Sequence, residues 1–342
     1  MAWAAEHATK HGGRAIALSL VLMGAGCRLP PPDEPEPSPR VTLPYAPRDP
    51  SPAFSGEAAL DRVRALMLHP RTLGDAARER SIEALARMLA DAGAQQVERQ
   101  PFVAIEASTG RSYALVNLFG HLHPQAPRRV VLATHFDTRP WADQEPDPML
   151  HEQPVPGAND GTSGVAVLLE LLPLLAAALP PDVGVTVILF DGEELGRPGE
   201  GERGGYCAGS RHFAAEAARQ PPAWLRGAEA GIVLDMVGDR DLHLPIEPGS
   251  AKHAPALVQR LWTVARRRGH AQFQDHEREL AILDDHVLLT QAGVPSVLII
   301  DHEYDAWHTR RDTIDRLSSE SLFAVGDTVL HTVLELLTSP KP

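Results

Sequence analysis

Nine acidic and imidazole side chains of this 342-residue chain stand where apolar runs give way to loops: His135, Asp137, Asp160, Glu193, Glu194, Asp235, Asp284, Asp285 and His308. Ionised carboxylates and neutral imidazoles are the donors a divalent metal ion takes. They must converge from separate segments, because no single strand end can surround an ion. Carboxyls brought close together can also divide into one acid and one base. Taken singly, each has a plainer reading. Asp160 would cap the helix that follows it, Glu193 and Glu194 would be solvated, and His135 would be a satisfied core histidine. It is the set that points to metal chemistry.

The elements that must position these residues are legible in the periodicity. Leu60, Val63, Leu66 and Met67, then Ile82, Leu85, Met88 and Leu89, recur at helical spacing, so two helices open the domain. Residues 96–105, 113–119 and 129–134 have strand character, the last as a short continuous apolar run of the kind covered on both faces. Residues 164–179 predict a long apolar helix with Pro173 as its point of kinking. A strand at 184–190, a helix at 209–219, a strand at 231–236, a helix at 254–268, a strand at 294–300 and a helix at 319–337 follow. This alternation predicts an α/β fold, a single domain whose central mixed, mostly parallel sheet is flanked by helices on both faces. His135-Phe136-Asp137, Asp191-Gly192-Glu193-Glu194 and Asp235 then fall at the ends of buried strands, where open α/β sheets bind ligands.

His135 and Asp137, Asn159-Asp160-Gly161, Glu193-Glu194, Asp235 and His308-Thr309 stand in an order that resembles the zinc aminopeptidase superfamily from about residue 130 to 315. For its co-catalytic members the resemblance implies two zinc ions on His135, Asp160, Glu194, Asp235 and His308, with Glu193 as general base to a bridging water. Gly209-Ser210-Arg211-His212, Asp284-Asp285-His286 and Trp307-His308-Thr309 are similar to the glutaminyl cyclases of bacteria and animals. That resemblance implies a glutaminyl-peptide cyclotransferase, an acyltransferase that turns N-terminal glutamine of peptides or proteins into pyroglutamate and releases ammonia. It implies one Zn²⁺ on Asp160, Glu194 and His308. Glu193, Asp235 and Asp284 are then catalytic, Trp307 walls the substrate, and His135 is not a ligand. The metal counts have a physical logic: a peptidase must activate an external water, which a second metal assists. A cyclase already holds its nucleophile, the substrate's own α-amine, at high effective molarity.

Composition narrows the alternatives. With 45 acidic against 32 basic residues the formal charge is -13, which argues against a nucleic-acid partner. No Gly-x-Ser-x-Gly element occurs, and Gly161-Thr162-Ser163-Gly164 fails at Val165. His-Glu-x-x-His is also missing from the sequence. Lys10 and Arg14 precede an apolar run ending in Gly24-Ala25-Gly26-Cys27, so residues 1–27 read as an export signal with a lipoprotein cysteine. Membrane contact is expected only through that lipid, in the cell envelope. Residues 28–54, rich in proline, read as a tether, and 55–340 as the zinc-dependent domain. The enzymatic alternative is a di-zinc aminopeptidase. A non-enzymatic one is a peptide-binding lipoprotein, which loss of a ligand would mark, and none is lost.

Overall fold

The computed structural model of the protein describes residues 53–69, 71–197 and 205–338. The signal segment, Cys27 and the tether up to residue 52 lie outside the described residues. Two helices, α1 (Gly56–Leu66) and α2 (Arg78–Asp91), precede a hairpin of β1 (Gln96–Ile105) and β2 (Ser112–Leu122). Then follow β3 (Arg128–His135), α3 (Ser163–Ala178), β4 (Val183–Phe190), α4 (Ala208–Arg219) and β5 (Ala228–Asp235). After β5 come β6 (Leu244–Ile246), α5 (Pro248–His253), α6 (Pro255–Arg268), β7 (Phe273–Glu277), α7 (Asp285–Gln291), β8 (Ser296–Ile300) and α8 (Ser319–Thr338).

Six strands form one sheet in the order β1-β2-β4-β3-β5-β8, and β6 pairs with β7 in a small second sheet. The β1–β2 and β2–β4 pairings are antiparallel, whereas β3 lies parallel to both β4 and β5, and β5 parallel to β8. The mixed, mostly parallel sheet is therefore present as the apolar runs predict. Period-two alternation divides the central strands between two cores. Val130, Leu132, Val185, Val187, Ile232, Val297 and Ile299 face one core with residues of α1, α2, α3, α6 and α8. Val131, Ala133, Ile188, Phe190, Val233 and Leu298 face the other with Phe213 and Ala217 of α4 and Leu289 of α7.

One expectation needs correcting. Phe54, assigned above to the tether, is only 3% exposed and belongs to the main core, its ring lying against Gly326 of α8. Proline-rich neighbours mask an apolar anchor there. The long apolar helix is found as expected, α3 running through Pro173 to Ala178. The chain winds from β3 outward to β4, then crosses back past β3 to β5. The carboxyl ends of these three strands accordingly surround a crevice, the usual ligand position of such sheets.

Candidate metal centre

His135 is the last residue of β3, Glu193 and Glu194 lie on the turn after β4, and Asp235 closes β5. Asp160 precedes α3, Asp284 caps the amino end of α7, and His308 lies in the loop after β8. All but Glu193 are buried, and Glu193 is half-buried. Two sets of ligand atoms converge, His135–Asp160–Asp235 and Asp160–Glu194–His308, each within 4.8 Å, with Asp160 common to both.

Local backbone explains how loops hold such a cluster. The Asp137 carboxylate accepts the backbone N–H groups of Glu193 and Glu194, each at 3.1 Å, so it fixes their turn and is not itself among the converging ligands. Gly161 has φ +82°, and a Cβ there would stand 2.2 Å from the Asp137 carbonyl oxygen, so only glycine fits beside Asp160. The backbone N–H groups of Asn159 and Asp160 are accepted by Asp312 at 2.8 and 3.1 Å, and Tyr304 donates to the same carboxylate at 2.9 Å. Asn159 in turn accepts the Gly238 N–H at 2.8 Å, which links this loop to the end of β5. His308 adopts a left-handed φ of +54° in the turn closed by Thr309 N–H to the Ala306 carbonyl. A non-glycine residue held there is a strained position of the kind found at functional sites.

The two histidines are spaced differently. His135 Nε2 lies 3.1 Å from Asp160 Oδ1 and 3.2 Å from Asp235 Oδ1, within hydrogen-bond reach of both, while its Nδ1 faces the Asp137 carbonyl at 3.2 Å. His308 Nε2 stands 3.4 Å from Glu194 Oε2 and 3.9 Å from Asp160 Oδ2. Donors about 2.0–2.2 Å from a tetrahedral zinc lie about 3.3–3.6 Å apart, a range that the contacts of His135, at 3.1 and 3.2 Å, approach from below and those of His308, at 3.4 and 3.9 Å, straddle. Two carboxylates and an imidazole nitrogen with that spacing fit zinc.

Charge follows position. Burial would raise the Glu194 carboxyl, but the His308 and Arg139 charges outweigh it and hold this group well below the usual carboxylate range. Burial and the Glu194 charge push Glu193 and Asp160 well above that range. Asp284 is pushed up by burial and by Asp235, and Asp285 by burial to about 7. So many buried carboxyls repel one another unless some are protonated or a cation sits among them. Trp307 is half-buried and its ring stacks on His308 with centroids 3.8 Å apart.

The structure thus gathers every predicted site residue around one crevice and adds several that the sequence did not single out. Arg139 donates to Glu194 Oε2 at 2.7 Å, Asp143 faces His308 Nδ1 at 3.3 Å, and Cys207 Sγ donates to Glu193 Oε1 at 3.3 Å. Asp312 belongs with them. None has a signal in periodicity or spacing, since each acts through a loop contact.

The chain is similar to known proteins. The chain is 26% identical over 287 residues to the glutaminyl-peptide cyclotransferase of Bos taurus, covering 77% of this chain and 76% of that protein. Among solved structures it is similar to Tannerella forsythia glutaminyl cyclase, with a TM-score of 0.76, 33% identity, and 83% of this chain and 99% of that chain covered. A Zn-dependent exopeptidase from Parabacteroides distasonis is similar at a TM-score of 0.75 and 32% identity, over 84% of this chain and 99% of that one. Peptidase family M28 matches residues 117–333, the stretch from β2 to α8 that contains every residue of the crevice. The chain belongs to peptidase family M28.

Proposed function

We propose that the protein is a glutaminyl-peptide cyclotransferase that uses one zinc ion on Asp160, Glu194 and His308. The observation that carries this reading is the unequal spacing of the two histidines. His135 Nε2 is hydrogen-bonded to Asp235 at 3.2 Å and lies 3.1 Å from Asp160, while His308 Nε2 stands 3.4 and 3.9 Å from Glu194 and Asp160, beyond ordinary hydrogen-bond distance. A single-metal site suits a reaction whose nucleophile belongs to the substrate.

A zinc ion on the triad would act as Lewis acid toward the γ-carbonyl of an N-terminal glutamine. Glu193 takes a proton from the attacking α-amine and returns it to the departing ammonia. Burial beside Glu194 raises its proton affinity, which a group that must accept and then donate requires. Burial and the neighbouring Asp235 push Asp284 well above the usual carboxylate range, which suits a carboxyl pair that shares a proton. Together the pair stabilises the tetrahedral species and holds the leaving nitrogen. Trp307 gives the glutaminyl methylenes an apolar wall.

The second reading, a di-zinc aminopeptidase, is favoured by the sharing of Asp160 between both ligand sets and by the similar exopeptidase. Product analysis separates the two. The cyclase is expected to release ammonia from a peptide with N-terminal glutamine, leaving every peptide bond intact, and to leave an N-terminal leucine peptide untouched. N-terminal asparagine should fail too, because it would close a strained four-membered ring. Free leucine without ammonia would establish the peptidase instead. We also read the chain as an exported lipoprotein from Lys10, Arg14 and Cys27. An intact, unmodified N-terminus on the cellular protein, seen by mass spectrometry, would exclude that.

A further inference from the structure

We infer that Arg139 and Asp143 form a brace that positions two zinc ligands, Glu194 and His308, and sets how tightly the metal is held. Arg139 is 1% exposed and follows β3 by four residues. Its guanidinium forks onto Asp143, with Nε to Oδ1 at 2.8 Å and Nη2 to Oδ2 at 2.7 Å, while Nη1 donates to Glu194 Oε2 at 2.7 Å. Asp143 Oδ1 also faces His308 Nδ1 at 3.3 Å. Glu194 and His308 are far apart in sequence and lie on different loops. The contacts Glu194–Arg139–Asp143–His308 link the two residues, reaching Glu194 at the Oε2 that also faces His308 Nε2 and His308 at its Nδ1.

The brace has two chemical consequences. A carboxylate facing Nδ1 favours the tautomer with its proton there, which leaves the Nε2 lone pair for the metal. A guanidinium hydrogen-bonded to a ligand carboxylate fixes its orientation through rigid planar geometry that lysine lacks. Arg139 itself is held from above and beside by Trp141 and Tyr206, whose ring centroids lie 5.6 and 5.5 Å from its central carbon, and it donates to the Tyr206 hydroxyl at 3.1 Å. His135 is backed differently: its Nδ1 faces the backbone carbonyl and the carboxylate of Asp137, at 3.2 and 3.6 Å, with no arginine between it and a second carboxylate. Arg139 and Asp143 are positioning residues that act through the ligands.

This inference rests on zinc binding at the triad and is independent of which reaction the zinc serves. Its test is the zinc dissociation constant, measured by chelator competition on the full chain, for the wild type, Asp143→Asn and Arg139→Lys. Loss of such outer partners costs about 10–100-fold in metal affinity, so each variant should bind zinc at least about tenfold more weakly. Thermal melting of the metal-free proteins should stay near that of the metal-free wild type. Unchanged zinc affinity in either folded variant would overturn the inference, and so would failure of both variants to fold with zinc in excess, which would mark a purely structural pair. A wild type that binds no zinc would instead overturn the metal reading of the triad.

Discussion

The two halves of the crevice share Asp160 yet are built on opposite principles. Around His135 the polar atoms satisfy one another, with Nε2 3.1 and 3.2 Å from two carboxylates. Around His308 the same atom stands 3.4 and 3.9 Å from its carboxylates, with Arg139 on Glu194 and Asp143 beside His308 Nδ1. A buried polar cluster stabilises the fold when its groups bond to each other. It is a binding site when rigid support keeps them apart. On the function proposed above, the difference gives His135 a hydrogen-bonding role and His308 a ligand role, although both are buried histidines beside carboxylates at the carboxyl end of one sheet.

The largest effect should come from breaking the open half. His308→Ala, or Asp160→Ala, is expected to abolish zinc binding and turnover together, because a three-ligand site does not tolerate the loss of one. Zinc at wild-type level by elemental analysis in either variant would erase the distinction between the halves. Glu193→Gln comes next: it keeps size but removes the proton acceptor, so turnover should fall by about a hundredfold or more while zinc remains. Steady-state kinetics with metal analysis on the same sample checks both. Trp307→Ala sharpens the comparison on the substrate side. Removing an aromatic wall should raise KM by roughly tenfold, with a smaller change in kcat. A fall in kcat alone would show that Trp307 acts on His308 instead, with which it stacks.

Residues at strand ends were legible because the strands were. Val130, Val131, Leu132 and Ala133 form an uninterrupted apolar run that could only be a covered strand, so His135 had to lie at its end. The apolar runs before Asp191 and Asp235 placed Glu193, Glu194 and Asp235 in the same way. Asp160, Asp284 and His308 stand in loops, so the set of donor types pointed to their convergence, and only the resemblance implied which of them hold the metal. Arg139, Asp143 and Asp312 were not found, because a residue that works by accepting loop N–H groups or by backing a ligand leaves no periodicity. The small β6–β7 sheet was missed for a related reason: β6 has three residues, one of them Pro245, and β7 is mostly exposed polar side chains. Phe54 was hidden by the composition around it.

The smallest expected effect is also the one that decides the account. In purified full-length protein, zinc per chain should be close to one in the wild type and remain close to one in His135→Ala, whose imidazole only bonds to its neighbours. Two tightly bound ions in the wild type, falling to one in His135→Ala, would contradict the single-metal site and make the closed half a metal site as well.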